Sequence, residues 1–129
     1  MIYGIGVDIA EISRFQISYE RFGDRLIQKI LTVDEEQQFI RSKNKARFLA
    51  MRFAAKEATS KALGTGFKEG VAPRQIGVNH AKSGKPNLKV HGRVGEIFKR
   101  ERIVSSHLSL SDDAGLAIAY VVLETEALA

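Results

Sequence analysis

The stretch that most constrains the fold is residues 51–66, MRFAAKEATSKALGTG. It is rich in residues that favour helix, and Gly64 follows as a typical C-terminal breaker. On a helical wheel of about 100° per residue, one stripe is apolar and is expected to face the core. Its members are Phe48, Met51, Ala55, Ala58 and Ala62. The sequence therefore predicts a long helix whose core-facing stripe is built mainly of alanine.

A second face of this helix carries Phe53, Glu57 and Lys61, each about one turn from the next. Small alanines flank it, so another backbone or a ligand has room to come close. Glu57 and Lys61 fit an ordinary surface ion pair, which contributes only about 0.2–0.5 kcal/mol. Phe53 favours a functional alternative, because an aromatic side chain off the core stripe usually covers a second element, a subunit or a bound molecule.

Composition fits one small soluble domain. The chain has 129 residues, of which 44% are apolar, so it can bury a real core. It has no cysteine, which excludes disulfides and thiolate metal sites. No signal-peptide pattern opens the chain, and the longest apolar stretch, residues 114–123, is too short to cross a bilayer. We therefore expect a cytoplasmic protein with no membrane partner.

The formal net charge of +5 and the pI near 9.6 predict an anionic partner. Nucleic acid, a phosphorylated small molecule and an acidic protein all satisfy the charge. Tryptophan is absent, and no RNP-type, zinc-finger or helix-turn-helix signature is present. Nucleic acid is therefore not the expected partner.

The pattern along the chain predicts an α+β fold. Residues 2–9 are typical of a buried strand, residues 10–31 of helix with a break near Gly23, and residues 34–42 of a short helix. Strands are expected at 76–80 and 88–91, a helix at 94–102, and a hairpin from strands 103–111 and 115–123. The last strand is apolar on both faces, as in a central strand. Residues 1–129 thus form a single domain with a long central helix packed on a small, mainly antiparallel sheet.

Asp8 is the second informative residue, because it stands in the apolar strand at 2–9. Side chains alternate along a strand, so Asp8 shares a face with Gly4 and Gly6, which we expect to leave open space beside its carboxylate. Taken alone, Asp8 fits better as a cap of the following helix, since Asp is a preferred capping residue. The two glycines favour a ligand site.

Asp8 and Glu57, from separate elements and without a His or Cys cluster, suit a hard cation. Mg²⁺ takes one or two carboxylates together with waters and substrate phosphate oxygens. Lys61 lies one turn beyond Glu57, where its ammonium can neutralise phosphate charge. The three residues together indicate a phosphate-transfer site.

Several segments together resemble a known family: GIGVDIAEISRF, FAAKEATSKALGTG, GKP and HLSLSDD. They are similar to the holo-[acyl-carrier-protein] synthases, the small bacterial 4′-phosphopantetheinyl transferases, from Met1 to about Glu124. The resemblance implies transfer of phosphopantetheine from coenzyme A to a serine of apo acyl carrier protein, with release of adenosine 3′,5′-bisphosphate. It also implies a homotrimer whose active sites each form between two subunits.

The resemblance further implies residue roles. Asp8, Glu57 and Lys61 would be the catalytic set, with Asp8 and Glu57 binding Mg²⁺ and Lys61 contacting the pyrophosphate. The positions implied near coenzyme A are Arg52, Lys61, Gly64, Gly84, Lys85, Pro86 and His107. The positions implied to dock the acidic carrier protein are Arg14, Arg21 and Arg25. A solvated face is the plain alternative for these arginines, because Glu11, Glu20 and Asp24 are interspersed among them.

One position departs from the family pattern. Many members have SLSHD where this chain has SLSDD, so Asp112 replaces a histidine whose role does not carry over. Either Glu57 or a metal-bound water fits as acceptor of the serine proton. A broader phosphopantetheinyl transferase for polyketide or peptide carriers is the alternative enzyme, but such enzymes are usually considerably longer. A basic nucleic-acid-binding module explains the charge but neither Asp8 nor Glu57.

Overall fold

The computed structural model describes residues 1–127. In chain order its elements are β1 (Ile2–Glu11), α1 (Ile12–Phe22), α2 (Asp24–Ile30), α3 (Val33–Arg41), α4 (Lys45–Leu63), a 3₁₀ turn (Pro73–Gln75), β2 (Ile76–His80), β3 (Pro86–Val90), α5 (Gly92–Arg100), β4 (Ile103–Asp113) and β5 (Leu116–Thr125). No helix within residues 1–127 is long and apolar enough to cross a membrane.

Two antiparallel sheets accompany the long helix. One has the strand order β1-β5-β4, and the other pairs β2 with β3. Strand β5 is central, as its apolar faces predict. The expected α+β domain with a long helix on a mainly antiparallel sheet is therefore confirmed.

Helix α4 is surrounded rather than half-exposed. Asn44 caps its start by accepting from the Arg47 N–H, and Gly64 ends it with φ +84°. The predicted alanine stripe is buried, but so are positions on the other sides, including Arg52 and Lys56. Strands β1 and β5 cover one side of the helix, while α1, α2, α3 and β2 cover other parts of it.

Gly4 and Gly6 let β1 lie directly on α4. A Cβ on Gly4 would come within 1.9 Å of the Ala62 carbonyl oxygen, and one on Gly6 within 1.9 Å of the Ala58 carbonyl oxygen. The expectation that these glycines leave open space beside Asp8 is therefore wrong, because the helix backbone fills that space. The glycines serve close packing.

The opposite face of β1 is exposed, although the sequence predicts a buried strand. Ile5, Val7 and Ile9 are each about half exposed or more in the single chain, at 56%, 49% and 60%. Tyr120, which pairs with Val7 in the register of β1 and β5, is exposed on the same sheet. The three-stranded sheet thus presents an apolar outer face.

The helical stretch predicted from residue 10 begins two residues later. Strand β1 continues to Glu11, which is the N-cap residue of α1, so Asp8 is not a helix cap. The predicted break is confirmed: Gly23 has φ +53° and separates α1 from α2.

The close approach of β1 and α4 yields a stability prediction. Gly6→Ala should lower the free energy of unfolding by about 2 kcal/mol or more, because the added methyl group meets backbone that cannot move aside. Urea unfolding at a fixed protein concentration measures this. Gly95→Ala in α5 is the control: its nearest contact is Val90 O at 3.8 Å, so helix propensity should raise stability by about 0.5–1 kcal/mol. Equal effects of the two changes would contradict the packing role.

Candidate functional site

A cleft of about 590 Å³ lies where β1, α1, α2, α4 and the 3₁₀ turn meet. Its charged lining comes from Asp8, Glu11, Arg14, Lys29 and Glu57. Its apolar lining includes Phe15, Leu26, Ile30 and Phe53. The structure therefore brings the two predicted carboxylates, one from β1 and one from α4, into a single cavity.

Lys61 is held by strand β1. Its Nζ donates to Asp8 Oδ1 and to the Val7 carbonyl oxygen, each at 3.0 Å. Asp8 is 15% exposed and Lys61 50% exposed, so the ammonium stays accessible from solvent. Lys61 thus pairs with Asp8 on another element, and the surface Glu57–Lys61 pair is not formed. An ammonium has three N–H donors, which leaves one for a ligand.

The pKa of Glu57 is raised by its surroundings in the cleft. Partial burial raises the pKa of Glu57, the negative charge of Asp8 raises it further, and Lys61 partly opposes both. Two carboxylates that repel each other across a cleft hold free energy that a shared cation would release. The electrostatics at this site therefore favour a bound cation.

The donor set fits magnesium rather than zinc. Within residues 1–127 no group of three or more His, Cys, Asp and Glu side chains gathers as a metal cluster. Asp8 and Glu57 provide two carboxylates, and Mg²⁺ characteristically takes one or two of these and completes its shell with water and phosphate oxygens. The cleft beside them has room for such a phosphate-bearing ligand.

Phe53 is covered within its own chain. Its ring centroid lies 5.4 Å from that of Phe15 on α1 and 6.2 Å from that of Phe67 in the loop after α4. Of the three kinds of cover expected for Phe53, a second element, a subunit or a bound molecule, the structure shows the first. The ring forms part of the apolar wall of the cleft.

The three predicted docking arginines occupy different places. Arg14 on α1 lines the cleft itself. Arg21 lies near the end of α1 with its guanidinium 5.2 Å from the Phe22 ring centroid. Arg25 follows the break at Gly23, so it belongs to α2 rather than to the same helical face. Arg21 and Arg25 are both exposed on the α1–α2 surface beside the cleft.

The other residues expected near coenzyme A lie outside the cleft. Gly84, with φ +90°, and Lys85 form the exposed turn that leads into Pro86 at the start of β3. His107 is exposed on β4, with its Nε2 2.5 Å from Glu124 Oε1. Gly64 ends α4, and its N–H donates to carbonyls of the last helical turn. None of these positions lines the cleft that holds Asp8 and Glu57.

Arg52 is buried in a cluster that the sequence analysis missed. Its Nη1 donates to the Val78 carbonyl at 2.6 Å and to Glu35 Oε2 at 3.4 Å, and burial lowers its pKa. Glu35 and Lys56 are both fully buried, with Lys56 Nζ 2.6 Å from Glu35 Oε1. The Thr32-to-Glu35 spacing is a capping-box pattern that could have marked Glu35 as a carboxylate held at the start of α3. A role for Arg52 towards the nucleotide stays a prediction.

Asp112, which replaces the usual histidine of the family pattern, makes a two-point ion pair. Its carboxylate accepts from Arg47 Nη2 at 2.8 Å and from Arg47 Nε at 3.0 Å. The hydrogen bonds from Arg47 lower the pKa of Asp112. The pair links the end of β4 to the first turn of α4, and neither residue lines the cleft.

Comparison with known proteins decides the family. The model of the 4′-phosphopantetheinyl transferase superfamily matches residues 4–121. The holo-[acyl-carrier-protein] synthase of Dechloromonas aromatica is 48% identical over 124 residues, which cover 96% of this chain and 98% of that one. The chain belongs to the holo-[acyl-carrier-protein] synthase family of phosphopantetheinyl transferases. It is an enzyme of that class.

Comparison with solved structures supports the same family assignment. The crystal structure of the Neisseria meningitidis holo-[acyl-carrier-protein] synthase matches with a TM-score of 0.92 and 38% identity, over 97% of this chain and all of that one. The Helicobacter pylori synthase, solved in complex with coenzyme A, matches with a TM-score of 0.81 and 32% identity over 93% of this chain and 99% of that one.

The electrostatics of Glu57 predict a pH-dependent stability difference. Without Mg²⁺, the unfolded chain loses the Glu57 proton near the ordinary value of about 4.3, whereas the folded chain keeps it to higher pH. The wild type should therefore lose stability relative to Glu57→Gln as pH rises through this window, and then stay at a constant difference. Urea unfolding between acid and neutral pH measures this.

Adding Mg²⁺ should recover the lost stability in the wild type and not in Glu57→Gln. Glu20→Gln on the exposed surface of α1 removes the same charge away from Asp8 and serves as the control. A wild type that keeps or gains stability relative to Glu57→Gln as pH rises would show that the folded protein does not raise the pKa of Glu57.

Proposed function

We propose that this enzyme transfers 4′-phosphopantetheine from coenzyme A to a serine of apo acyl carrier protein. The other product is adenosine 3′,5′-bisphosphate, the reaction depends on Mg²⁺, and it takes place in the cytoplasm. The transferase domain spans residues 1–129. The observation that carries this proposal is the meeting of Asp8 and Glu57 in one cleft, with Lys61 hydrogen-bonded to Asp8.

Asp8 and Glu57 would hold the Mg²⁺. When bound there, the ion would neutralise charge on the pyrophosphate of coenzyme A and favour departure of the nucleotide. Lys61 keeps one N–H free after its bonds to Asp8 and Val7, and we assign this donor to a pyrophosphate oxygen. Charge that develops on the leaving phosphate is then met by an ammonium already held in place, which is the arrangement that lowers a transition-state barrier most.

We assign the serine proton to the Glu57 carboxylate. Within residues 1–127 the Glu57 carboxylate forms no ion pair, whereas that of Asp8 is paired with Lys61, so Glu57 has an oxygen available to accept a proton. The roles of the two carboxylates thus differ because their surroundings differ.

The direct test is an incubation with coenzyme A, Mg²⁺ and an apo acyl carrier protein, followed by mass spectrometry of the carrier. A gain of one phosphopantetheine is expected with the wild type, and none in EDTA. Asp8→Asn and Glu57→Gln should each lower kcat/KM by about 10²-fold or more while the fold is kept. The same incubation with a peptide-synthetase carrier domain tests the broader alternative. Near-normal rates in both variants would refute the site.

We further propose a homotrimer with each site shared by two subunits. His107 and the Gly84-Lys85-Pro86 turn do not line the cleft of their own chain, which supports a site that a neighbouring subunit would complete. The apolar outer face of the β1-β5-β4 sheet supplies a surface for such a contact. In the shared site, Gly64 would add a contact to coenzyme A. Arg52 would have to release Glu35 or the Val78 carbonyl to do the same.

Light scattering should therefore give about three times the chain mass of 14.3 kDa. Val7→Lys places a charge on the outer sheet face and should yield smaller species with little transfer activity. Ile40→Lys is the control, because Ile40 is an equally apolar and exposed residue on α3, away from the sheet. An active monomer would contradict the shared site.

Docking of the acidic carrier protein is proposed at Arg21 and Arg25, with Arg14 contributing from inside the cleft. Arg21→Glu tests carrier docking separately from coenzyme A binding, because Arg21 does not line the cleft. Its KM for the carrier should rise roughly tenfold or more at low salt, because charge complementarity speeds encounter. Its KM for coenzyme A should stay within twofold of the wild type.

Salt provides the second measurement for docking. The wild-type kcat/KM for the carrier should fall as salt rises, and that of Arg21→Glu should fall less. Lys99→Glu on α5 changes the charge equally at an exposed position outside the cleft and should leave carrier kinetics unchanged. If Lys99→Glu has the same effect as Arg21→Glu, only the net charge matters and the docking surface is not on α1.

A further inference from the structure

A buried ion cluster joins α4 to three other segments behind the cleft. Lys56, with no exposed surface, donates from Nζ to Glu35 Oε1 on α3, to the Pro73 carbonyl oxygen at 3.1 Å and to the Ile76 carbonyl oxygen at 2.5 Å. All three ammonium donors are used, and each reaches a different segment. Lys56 therefore hydrogen-bonds α4 to three other segments at once.

Glu35 is held just as completely. Its Oε1 also accepts from the Thr32 N–H at 2.9 Å, and its Oε2 accepts from the Val78 N–H at 3.0 Å and from Arg52. Thus Glu35 keeps a cationic partner and two backbone donors even without Lys56. No buried side-chain nitrogen or oxygen within residues 1–127 lacks a hydrogen-bond partner.

Stability alone gives a weak reason for this arrangement. Taking ions out of water is costly, and well-packed apolar residues often replace a buried ion pair without loss of stability. What distinguishes the buried ion cluster is that its hydrogen bonds are directional. They allow only one arrangement of the segments that they join. Which arrangement it fixes is therefore the informative question.

The tied segments include the wall of the functional cleft. Pro73 lines the same cleft as Asp8 and Glu57, and its carbonyl is one of the three acceptors of Lys56. Lys56 directly precedes Glu57 in α4. Helix α4 therefore presents Glu57 to the cleft while Lys56 holds a second part of the cleft lining.

We propose that Lys56 is a positioning residue for the transfer reaction: by holding the Pro73 and Ile76 carbonyls, it fixes the Pro73 wall of the cleft relative to Glu57. The proposal rests on the function proposed above. Lys56 itself touches no substrate, because its side chain is fully buried behind the cleft. A small displacement of the wall would misplace the reacting groups, which costs rate rather than folding.

Lys56→Met is the main test, because methionine nearly matches the length of the lysine stem and leaves Glu35 paired with Arg52. With the rate normalised to folded protein, we expect kcat to fall about tenfold or more. The KM values for coenzyme A and the carrier should change less than twofold. Hydrogen exchange of the backbone around residues 73–78 should quicken, while that of β4 and β5 should not.

Thr59→Val is the matched control. Thr59 is also fully buried on α4, but its hydroxyl donates only to the Ala55 carbonyl within the same helix. This variant should keep kcat within twofold of the wild type. Pro73→Gly changes the cleft wall directly and leaves the ion cluster intact. Pro73 is partly exposed, so this variant should fold. Loss of the rigid proline backbone should lower kcat.

Three outcomes would overturn the proposal. They are a folded Lys56→Met with kcat within twofold of the wild type, an equal loss in Thr59→Val, and an unchanged kcat in Pro73→Gly. The Pro73→Gly result decides the matter even if Lys56→Met does not fold. Failure of the proposed function is distinguishable, since the wild type would then transfer nothing to the carrier.

Discussion

Strand β1 and helix α4 touch backbone to backbone, and the candidate site depends on that contact. Gly4 and Gly6 face the carbonyls of Ala62 and Ala58 at a distance that admits no side chain. Asp8, the next residue on the same face of the strand, is therefore carried close to the helix that bears Glu57 and Lys61. The same approach lets Lys61 bond to β1 and leaves Asp8 and Glu57 near enough to repel each other.

Helix α4 is anchored on a second side by charge. The Glu35–Arg52–Lys56 cluster ties it to α3, β2 and the 3₁₀ turn, so the helix that presents Glu57 is constrained both by glycine packing and by directed hydrogen bonds. Apolar packing tolerates small slips of one element past another, whereas a fully satisfied buried network does not. A phosphate-transfer site needs that second kind of constraint, because its carboxylates act on ligand oxygens within hydrogen-bond distance.

The sequence predicted what depends on local patterns. It placed α4, its end at Gly64, the break at Gly23 and the central position of β5. It also singled out Asp8 and Glu57, the two carboxylates that the fold brings to one cleft. The sequence-based predictions were wrong or incomplete where one local pattern fits two different tertiary contacts. Glycine next to a carboxylate fits an open pocket or a close helix, and only the tertiary contact decides. Phe53 packs against Phe15 and Phe67, which are far from it in sequence. The buried ion pair of Glu35 and Lys56 likewise joins residues 21 positions apart.

The apolar outer face of the sheet and the layout of the proposed coenzyme A contacts lead to one conclusion about assembly. A lone chain holds the two carboxylates and Lys61, which suffices for a cation and a pyrophosphate. It leaves His107 and the Gly84 turn outside its own cleft, and it leaves Ile5, Val7 and Ile9 exposed to water at a cost that grows with apolar area. Burying that face against a second copy would relieve the apolar exposure and bring foreign side chains towards the cleft in the same step. In the proposed homotrimer, assembly and completion of the active site would be one event, and activity would then depend on protein concentration as well as on substrate.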